Sequence, residues 1–118
     1  MEFIEAPFFT QLLPEYLSDD EYRELQLHLA KDPEAGDAIP GTGGFQKVRW
    51  ADARRGKGRR GGLRVIYCYF EQELQIWFLT MYGKDEAEDL TTKEKRALKA
   101  AVGEEKRQRA RHRALRRR

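Results

Sequence analysis

Residues 63–82, LRVIYCYFEQELQIWFLTMY, decide the fold of this chain. Residues 63–70 and 74–82 are both rich in β-branched and aromatic residues, which favour strands. The residues between them, Glu71-Gln72-Glu73, are polar and few enough to form the loop of a β-hairpin. The stretch therefore predicts two antiparallel strands at the centre of the protein.

The segment before the hairpin predicts a strand and two helices. Residues 3–6 look like a short strand closed by Pro7, and apolar residues recur at helical spacing from residue 8 to 16, interrupted by Pro14. Ser18 with Glu21 three positions later is a capping box, which predicts a helix starting there. The pair Asp32-Pro33 should end it, because a residue before proline resists the helical conformation.

A further strand is predicted before the hairpin and a helix after it. Glycine-rich residues 36–44 indicate turns, and residues 45–50 alternate polar and apolar side chains. Phe45, Val48 and Trp50 do not share one strand face, which suggests a bulge at this strand. Thr91 with Glu94 forms a second capping box, and the helix it starts is expected to fade at Gly103.

This order of elements predicts an α+β fold, a small antiparallel β-sheet packed against N-terminal helices and a C-terminal helix. The 118 residues suffice for one domain. We assign residues 1–103 to that domain and residues 104–118 to a basic C-terminal tail, which would be either a disordered arm on ribosomal RNA or an extension of the helix.

The distribution of charge points to phosphate-bearing partners. The net charge is only +3, but eight basic residues and no acid lie between Lys106 and Arg118. Another eight basic residues, with the single acid Asp52, lie between Lys47 and Arg64. The rest of the chain is acidic, so positive charge is concentrated at two places.

Several classes of protein fit the sequence poorly. The lone Cys68 excludes an internal disulfide, and the apolar runs are too short to span a bilayer, so a reducing cytoplasm is the expected location. A nucleotide-binding loop would need Lys where Thr42 stands. His28 and His112 lack partners at metal-ligand spacing, so no metal or other cofactor is expected.

The basic loop between the predicted strands is the main candidate for binding nucleic acid. Its cations alternate with glycines, which allow the backbone to approach a phosphate chain closely. Two cations on the preceding strand share one face because they are two residues apart. The candidate RNA-binding residues are Lys47, Arg49, Arg54, Arg55, Arg59 and Arg60.

A candidate catalytic cluster follows from the hairpin. Antiparallel pairing brings the start of the first strand beside the end of the second, which should place Arg64 near Tyr82 and Lys84, and Lys57 lies in the loop just before. Cations and a phenol on one sheet face are suited to a phosphodiester. From the residues alone, a solvated turn or a non-catalytic binding module remains the simpler alternative.

These segments together resemble the HigB branch of the RelE/ParE toxin superfamily of type II toxin–antitoxin systems. The motifs, in order, are GTGG at 41–44, KVR at 47–49, GKGRRGG at 56–62, RVIY at 64–67 and TMYGK at 80–84. The similarity runs from about Tyr16 to Leu90, and the order and spacing of the motifs are more specific than any one of them.

The resemblance implies a metal-independent endoribonuclease that cuts mRNA on the ribosome by attack of a 2′-hydroxyl on the adjacent phosphate. Arg64 would clamp the scissile phosphate, and Lys57 would share that task or transfer a proton. Lys84 would assist the leaving group, and Tyr82 would stack on a base or position the 2′-hydroxyl. The expected partners are mRNA, the ribosome and a helix-turn-helix antitoxin of the HigA type.

The chain also departs from the family pattern. Residues 85–89 are acidic and contain no tyrosine, and no histidine lies in the matching region, so the general base stays unassigned. The alternatives are a gyrase inhibitor similar to ParE and a nucleic-acid-binding module without catalysis.

Overall fold

A computed structural model describes residues 1–53, 62–84 and 90–117. Its elements, in chain order, are β1 (Glu2–Glu5), α1 (Pro7–Tyr16), α2 (Asp19–Lys31), β2 (Asp37–Ala38), β3 (Phe45–Trp50), β4 (Leu63–Phe70), β5 (Gln75–Gly83) and α3 (Thr92–Arg116). The hairpin, both N-terminal helices and the C-terminal helix are confirmed. The short strand β2, inside the glycine-rich connector, was not predicted.

The strands form one sheet in the order β1-β5-β4-β3-β2. Strands β2 to β5 pair with antiparallel neighbours, whereas β1 pairs with β5 in parallel. The sheet is therefore mostly antiparallel with one parallel edge, and the predicted α+β class is confirmed. The parallel edge arises because the chain leaves β1 through α1 and α2 before it re-enters the sheet at the far side.

Helices cover both faces of the sheet, and each face has its own apolar core. On the α1/α2 face, the buried side chains are Phe9, Leu17, Leu25, Leu29, Val48, Trp50, Leu63, Val65, Tyr67, Ile76, Phe78 and Met81. On the α3 face, they are Phe45, Ile66, Cys68, Phe70 and Val102. Strand β4 contributes to both cores, which explains why it is apolar at almost every position.

The bulge predicted in β3 is wrong, and a bulge that was not predicted lies in β5. Strand β3 pairs regularly with β4, and Phe45 simply points to the opposite face from Val48. In β5, Tyr67 pairs with Phe78 and Ile66 with Thr80, so Leu79 is the extra residue. Because alternation restarts after a bulge, the side chains beyond Leu79 exchange faces relative to a regular strand.

The α2 capping box forms as predicted. The Ser18 hydroxyl accepts the Glu21 N–H at 3.2 Å, and the Glu21 carboxylate accepts the Ser18 N–H at 2.8 Å. The helix ends before Asp32. Beyond it, the Tyr67 hydroxyl donates to the Pro33 carbonyl at 2.8 Å and accepts the Gly36 N–H at 2.9 Å, which ties the connector to the central strand.

The expectation that the last helix fades at Gly103 is wrong. Helix α3 continues to Arg116. One glycine costs a helix only about 1 kcal/mol, and the ion pairs Glu104–Arg107 and Glu105–Arg109 support the turns that follow it. The division of the chain into domain and tail at residue 103 stays a prediction. No helix in the described ranges is long and apolar enough to cross a membrane.

Candidate functional site

Three of the predicted site residues form one row across the sheet. Arg49 of β3 pairs with Arg64 of β4, and Arg64 pairs with Tyr82 of β5. All three lie on the α3 face, because along their strands they alternate with residues that belong to the α1/α2 core. Directly opposed side chains in such pairs have Cβ atoms about 5 Å apart. The row therefore brings two guanidinium groups and a phenol together.

The Leu79 bulge is what places Tyr82 in this row. Ile76 and Phe78 belong to the α1/α2 core, and in a regular strand Tyr82 would follow them onto that face. The extra residue returns Met81 to the α1/α2 core and turns Tyr82 toward the α3 face, where it packs against the second cluster. The chemistry of the row depends on this irregularity.

A cavity of about 190 Å³ opens beside the row. It lies between the β2–β3 connection, the end of β5 and the start of α3. Its lining consists of Asp37, Ala38, Ile39, Pro40, Lys47, Arg49, Tyr82, Leu90 and Lys95. Three cations and one carboxylate thus surround a space large enough for a phosphate group.

Arg64 occupies the centre of the row and is only 6% exposed. Its Nη1 donates a hydrogen bond to the Leu63 carbonyl at 3.3 Å. Arg64 lies directly opposite Arg49, so two positive charges are concentrated at this point of the sheet. Arrangements of this kind are typical of sites that bind an anion.

Lys84 lies next to the row but outside the cavity lining. It is exposed, and its N–H donates to the Gly62 carbonyl at 3.0 Å, which closes the strand end beside the Leu63–Gly83 pair. The structure thus brings Lys47, Arg49, Arg64 and Tyr82 together and leaves Lys84 at their margin. Lys57, Arg54, Arg55, Arg59 and Arg60 lie outside the described residues.

Sequence reasoning missed Lys95, which lines the cavity from α3. Lys95 precedes Leu98 and Val102 by three and seven positions, so helical spacing puts it on the face that packs against the sheet. That spacing was visible in the sequence. The sequence did not show where the helix docks, and so it did not show that this face meets Tyr82.

Two other groups with reactive potential are structural. Burial raises the pKa of the Cys68 thiol, although Lys106 and Arg109 oppose the shift, so the thiol stays protonated and unreactive. Burial raises the pKa of Tyr67 to about 12, against the opposing hydrogen bond from Gly36. In the described part of the chain, no group of three His, Cys, Asp or Glu side chains could hold a metal ion.

No family model matches the chain. Among solved structures, it is similar to the E. coli toxin RelE, a double arginine-to-alanine mutant in the free state, with a TM-score of 0.52 and 11% sequence identity over 74% of this chain and 86% of that one. It is also similar to a chain of the intact E. coli RelBE toxin–antitoxin complex, with a TM-score of 0.52 and 13% identity over 75% of this chain and 98% of that one. The chain therefore has the RelE-like fold.

Proposed function

We propose that this protein is the toxin of a type II toxin–antitoxin system and acts as a ribosome-dependent mRNA endoribonuclease. The carrying observation is the row of Arg49, Arg64 and Tyr82 beside a cavity that also presents Lys47 and Lys95. The RelE-like fold supports the same class of function. The finer assignment to the HigB branch rests on the motifs in the sequence.

The cations of the row would stabilise the phosphate during cleavage. When the 2′-hydroxyl attacks, negative charge grows on the phosphate oxygens, and its stabilisation is usually the largest contribution to catalysis. Arg49 and Lys47 can reach a phosphate in the cavity from β3, and Lys95 from α3. Arg64 would add its positive charge from a buried position beside the cavity, because its side chain is almost fully covered.

Proton transfer requires groups besides these cations. The Tyr82 phenol can donate a hydrogen bond to a phosphate oxygen or orient the 2′-hydroxyl. Asp37 is the carboxylate in the cavity lining and could accept a proton from that hydroxyl. We propose that Lys84 assists the leaving group from the margin of the row, and that Lys57 shares in stabilising the phosphate or transfers a proton.

A toxin of this kind requires a neutralising partner. One of the similar structures reported above is a toxin–antitoxin complex. We propose a cognate antitoxin of the helix-turn-helix, HigA-like type that shields the cationic row. We propose that the reaction is metal-independent, with the 2′-hydroxyl of the substrate as the nucleophile and the cations of this chain stabilising the phosphate.

The test is primer extension on a defined mRNA incubated with the protein and programmed ribosomes. We expect cuts at the A-site codon that are absent on naked mRNA. Arg64→Gln should slow cleavage by about 10²- to 10³-fold, as for loss of a principal charge-stabilising donor. Arg49→Gln, at an exposed position, should slow it by about tenfold without affecting the fold.

The matched control is Arg23→Gln, an exposed arginine of α2 on the opposite face of the sheet, which should cleave as the wild type does. Cleavage that is unaffected by both Arg49→Gln and Arg64→Gln would rule out the row as the active site. Toxicity without cuts, accompanied by gyrase inhibition, would favour a function similar to that of ParE.

A further inference from the structure

The glycine loop between β2 and β3, residues 41–44, packs along one side of α3. A Cβ on Gly43 would lie 3.0 Å from Val102 Cγ1 and 3.4 Å from Lys99 Cγ, and Gly43 has φ +76°. A side chain at this position would strain the backbone and would require Val102 to shift by a few tenths of an ångström. The loop therefore positions α3 by packing against it. This role explains the GTGG motif, which is part of neither the cavity lining nor the row.

Three lysines of α3 lie one after another along this loop. Lys95 Cδ lies 3.9 Å from the position a Cβ would take on Gly41, and Lys99 contacts Gly43. Lys106 Nζ donates to the Gly43 carbonyl at 2.9 Å. Spacings of four and seven residues put all three on one side of the helix, over about 16 Å of its length. We call Lys95, Lys99 and Lys106 the lysine rail.

The rail keeps its positive charge. The acids of this part of α3 pair with arginines: Glu104 contacts Arg107 at 2.9 Å, and Glu105 contacts Arg109 at 2.9 Å. Lys99 and Lys106 are exposed, and Lys106 uses one of its three ammonium hydrogens for Gly43, which leaves two for a ligand.

The rail is continuous with the candidate active site. Lys95 lines the same cavity as Lys47, Arg49 and Tyr82. A chain of phosphates with one group in the cavity can therefore continue along the lysines without crossing an acidic surface on α3. The neighbouring glycines present backbone without side chains, so the approach of the phosphate chain is not blocked.

We propose that the lysine rail binds the phosphate backbone of single-stranded RNA next to the nucleotide held in the candidate active site. The contact is independent of base sequence, because lysine ammonium groups act as point charges on phosphates. The inference rests on the proposed function, because it takes RNA as the ligand and the cavity as the place of one nucleotide. Lys95 belongs to both the cavity and the rail, whereas Lys99 and Lys106 lie outside the cavity lining.

The test is the binding of a fluorescein-labelled single-stranded RNA of about twelve nucleotides to the full chain, without ribosomes, as a function of salt. The rail variant replaces Lys95, Lys99 and Lys106 with glutamine. We expect at least about tenfold weaker binding at low salt, and a log–log salt slope smaller by about 2, since each lost phosphate contact on a single strand removes about 0.7.

The matched control replaces Lys93 of α3 and Arg23 and Lys31 of α2, three exposed cations that lie away from the rail, with glutamine. It removes the same charge and should change affinity by less than about threefold. A third variant, with arginine at the three rail positions, should retain binding. Far-ultraviolet circular dichroism checks that α3 persists in all three.

The outcomes separate the two proposals. The proposal is overturned if the rail variant and its control lose RNA affinity equally, or if the rail variant binds RNA as the wild type does. It is also overturned if the wild-type protein does not bind RNA at low salt. None of these results bears on cleavage on the ribosome, which the Arg49 and Arg64 variants test. Selective loss in the rail variant would support the rail even if no cleavage were found.

Discussion

The two faces of the sheet are built on different principles. The α1/α2 face is closed by large apolar side chains, with Phe78 stacked between Phe9 at 4.9 Å and Phe3 at 5.9 Å between ring centroids. The α3 face has an apolar core at its centre only. Beyond it, cations continue in both directions, with Arg49 and Arg64 at one end and Arg109 over the Phe70 ring at the other.

The difference separates stability from function. Two helices pack on the first face, which holds most of the buried apolar side chains, so its burial supplies most of the hydrophobic free energy of folding. On the second face, one long helix is held by Leu98, Val102, the glycine loop and ion pairs, and the uncovered remainder of the sheet presents charge. The following substitutions test whether stability and function are divided between the two faces in this way.

The largest effect is expected from Phe78→Ala. It removes a fully buried ring from the α1/α2 core and should lower the free energy of unfolding by about 3–5 kcal/mol. Val102→Ala, the counterpart on the α3 face, removes two methyl groups and should cost about 1.6 kcal/mol. Urea unfolding followed by circular dichroism measures both. Similar losses would mean that the two faces contribute equally to stability.

Tyr67→Phe tests a polar anchor within the α1/α2 core. The substitution removes the hydrogen bonds to Pro33 and Gly36 and leaves a buried N–H without its acceptor, so it should cost about 2 kcal/mol.

The Tyr67 anchor also predicts a dependence on alkaline pH. Burial raises the pKa of Tyr67 from 10.0 to about 12, so its contribution to stability is complete below pH 10 and declines as the pH rises toward 12. The stability difference between the wild type and Tyr67→Phe should therefore shrink over that interval. A constant difference would mean that the hydroxyl is not anchored as described.

The two capping boxes allow a comparison of the helices that cover each face. Ser18→Ala on α2 should lower global stability by about 1 kcal/mol, because α2 unfolds with the main core. Thr91→Ala removes the equivalent bond on α3, where we expect faster amide hydrogen exchange in the first turns and a smaller global loss. Equal global losses would indicate that α3 unfolds together with the rest.

The smallest effect is expected from Glu73→Gln, which weakens the attachment of the far end of α3. Partial burial opposes the shift, but the hydrogen bonds and charges of Arg113 and Arg109 hold the pKa of Glu73 below its usual range. The contribution, up to about 1 kcal/mol, is thus present above the ordinary carboxyl pKa and is lost as the pH falls below it. Wild type and variant should be equally stable in acid.

Much of the fold could be predicted because its determinants are local. The bounds of β4, the capping boxes at Ser18 and Thr91, and the helix end at Asp32 each depend on residues within a few positions. The proximity of Arg64 to the end of β5 also followed from the short hairpin loop, since antiparallel strands joined by a tight turn have little freedom of register. Its partner is Tyr82 and not Met81 because of the Leu79 bulge, which the sequence did not predict.

Other features could not be predicted because distant contacts decide them. The parallel pairing of β1 with β5 joins residues that are about seventy positions apart, and the length of α3 beyond Gly103 depends on contacts with Gly43, Phe70 and Glu73. Lys95 entered the candidate site only through the docking of α3.

By itself, the sequence determined the class of fold, the helix starts and the set of cations available to a phosphate, because propensity, capping and composition act within a few residues. Only the tertiary structure decided which of those cations meet. The Leu79 bulge turns Tyr82 onto the α3 face, and the glycine loop positions Lys95 beside it. Both depend on the register and packing of segments far apart in the chain, which no local pattern encodes.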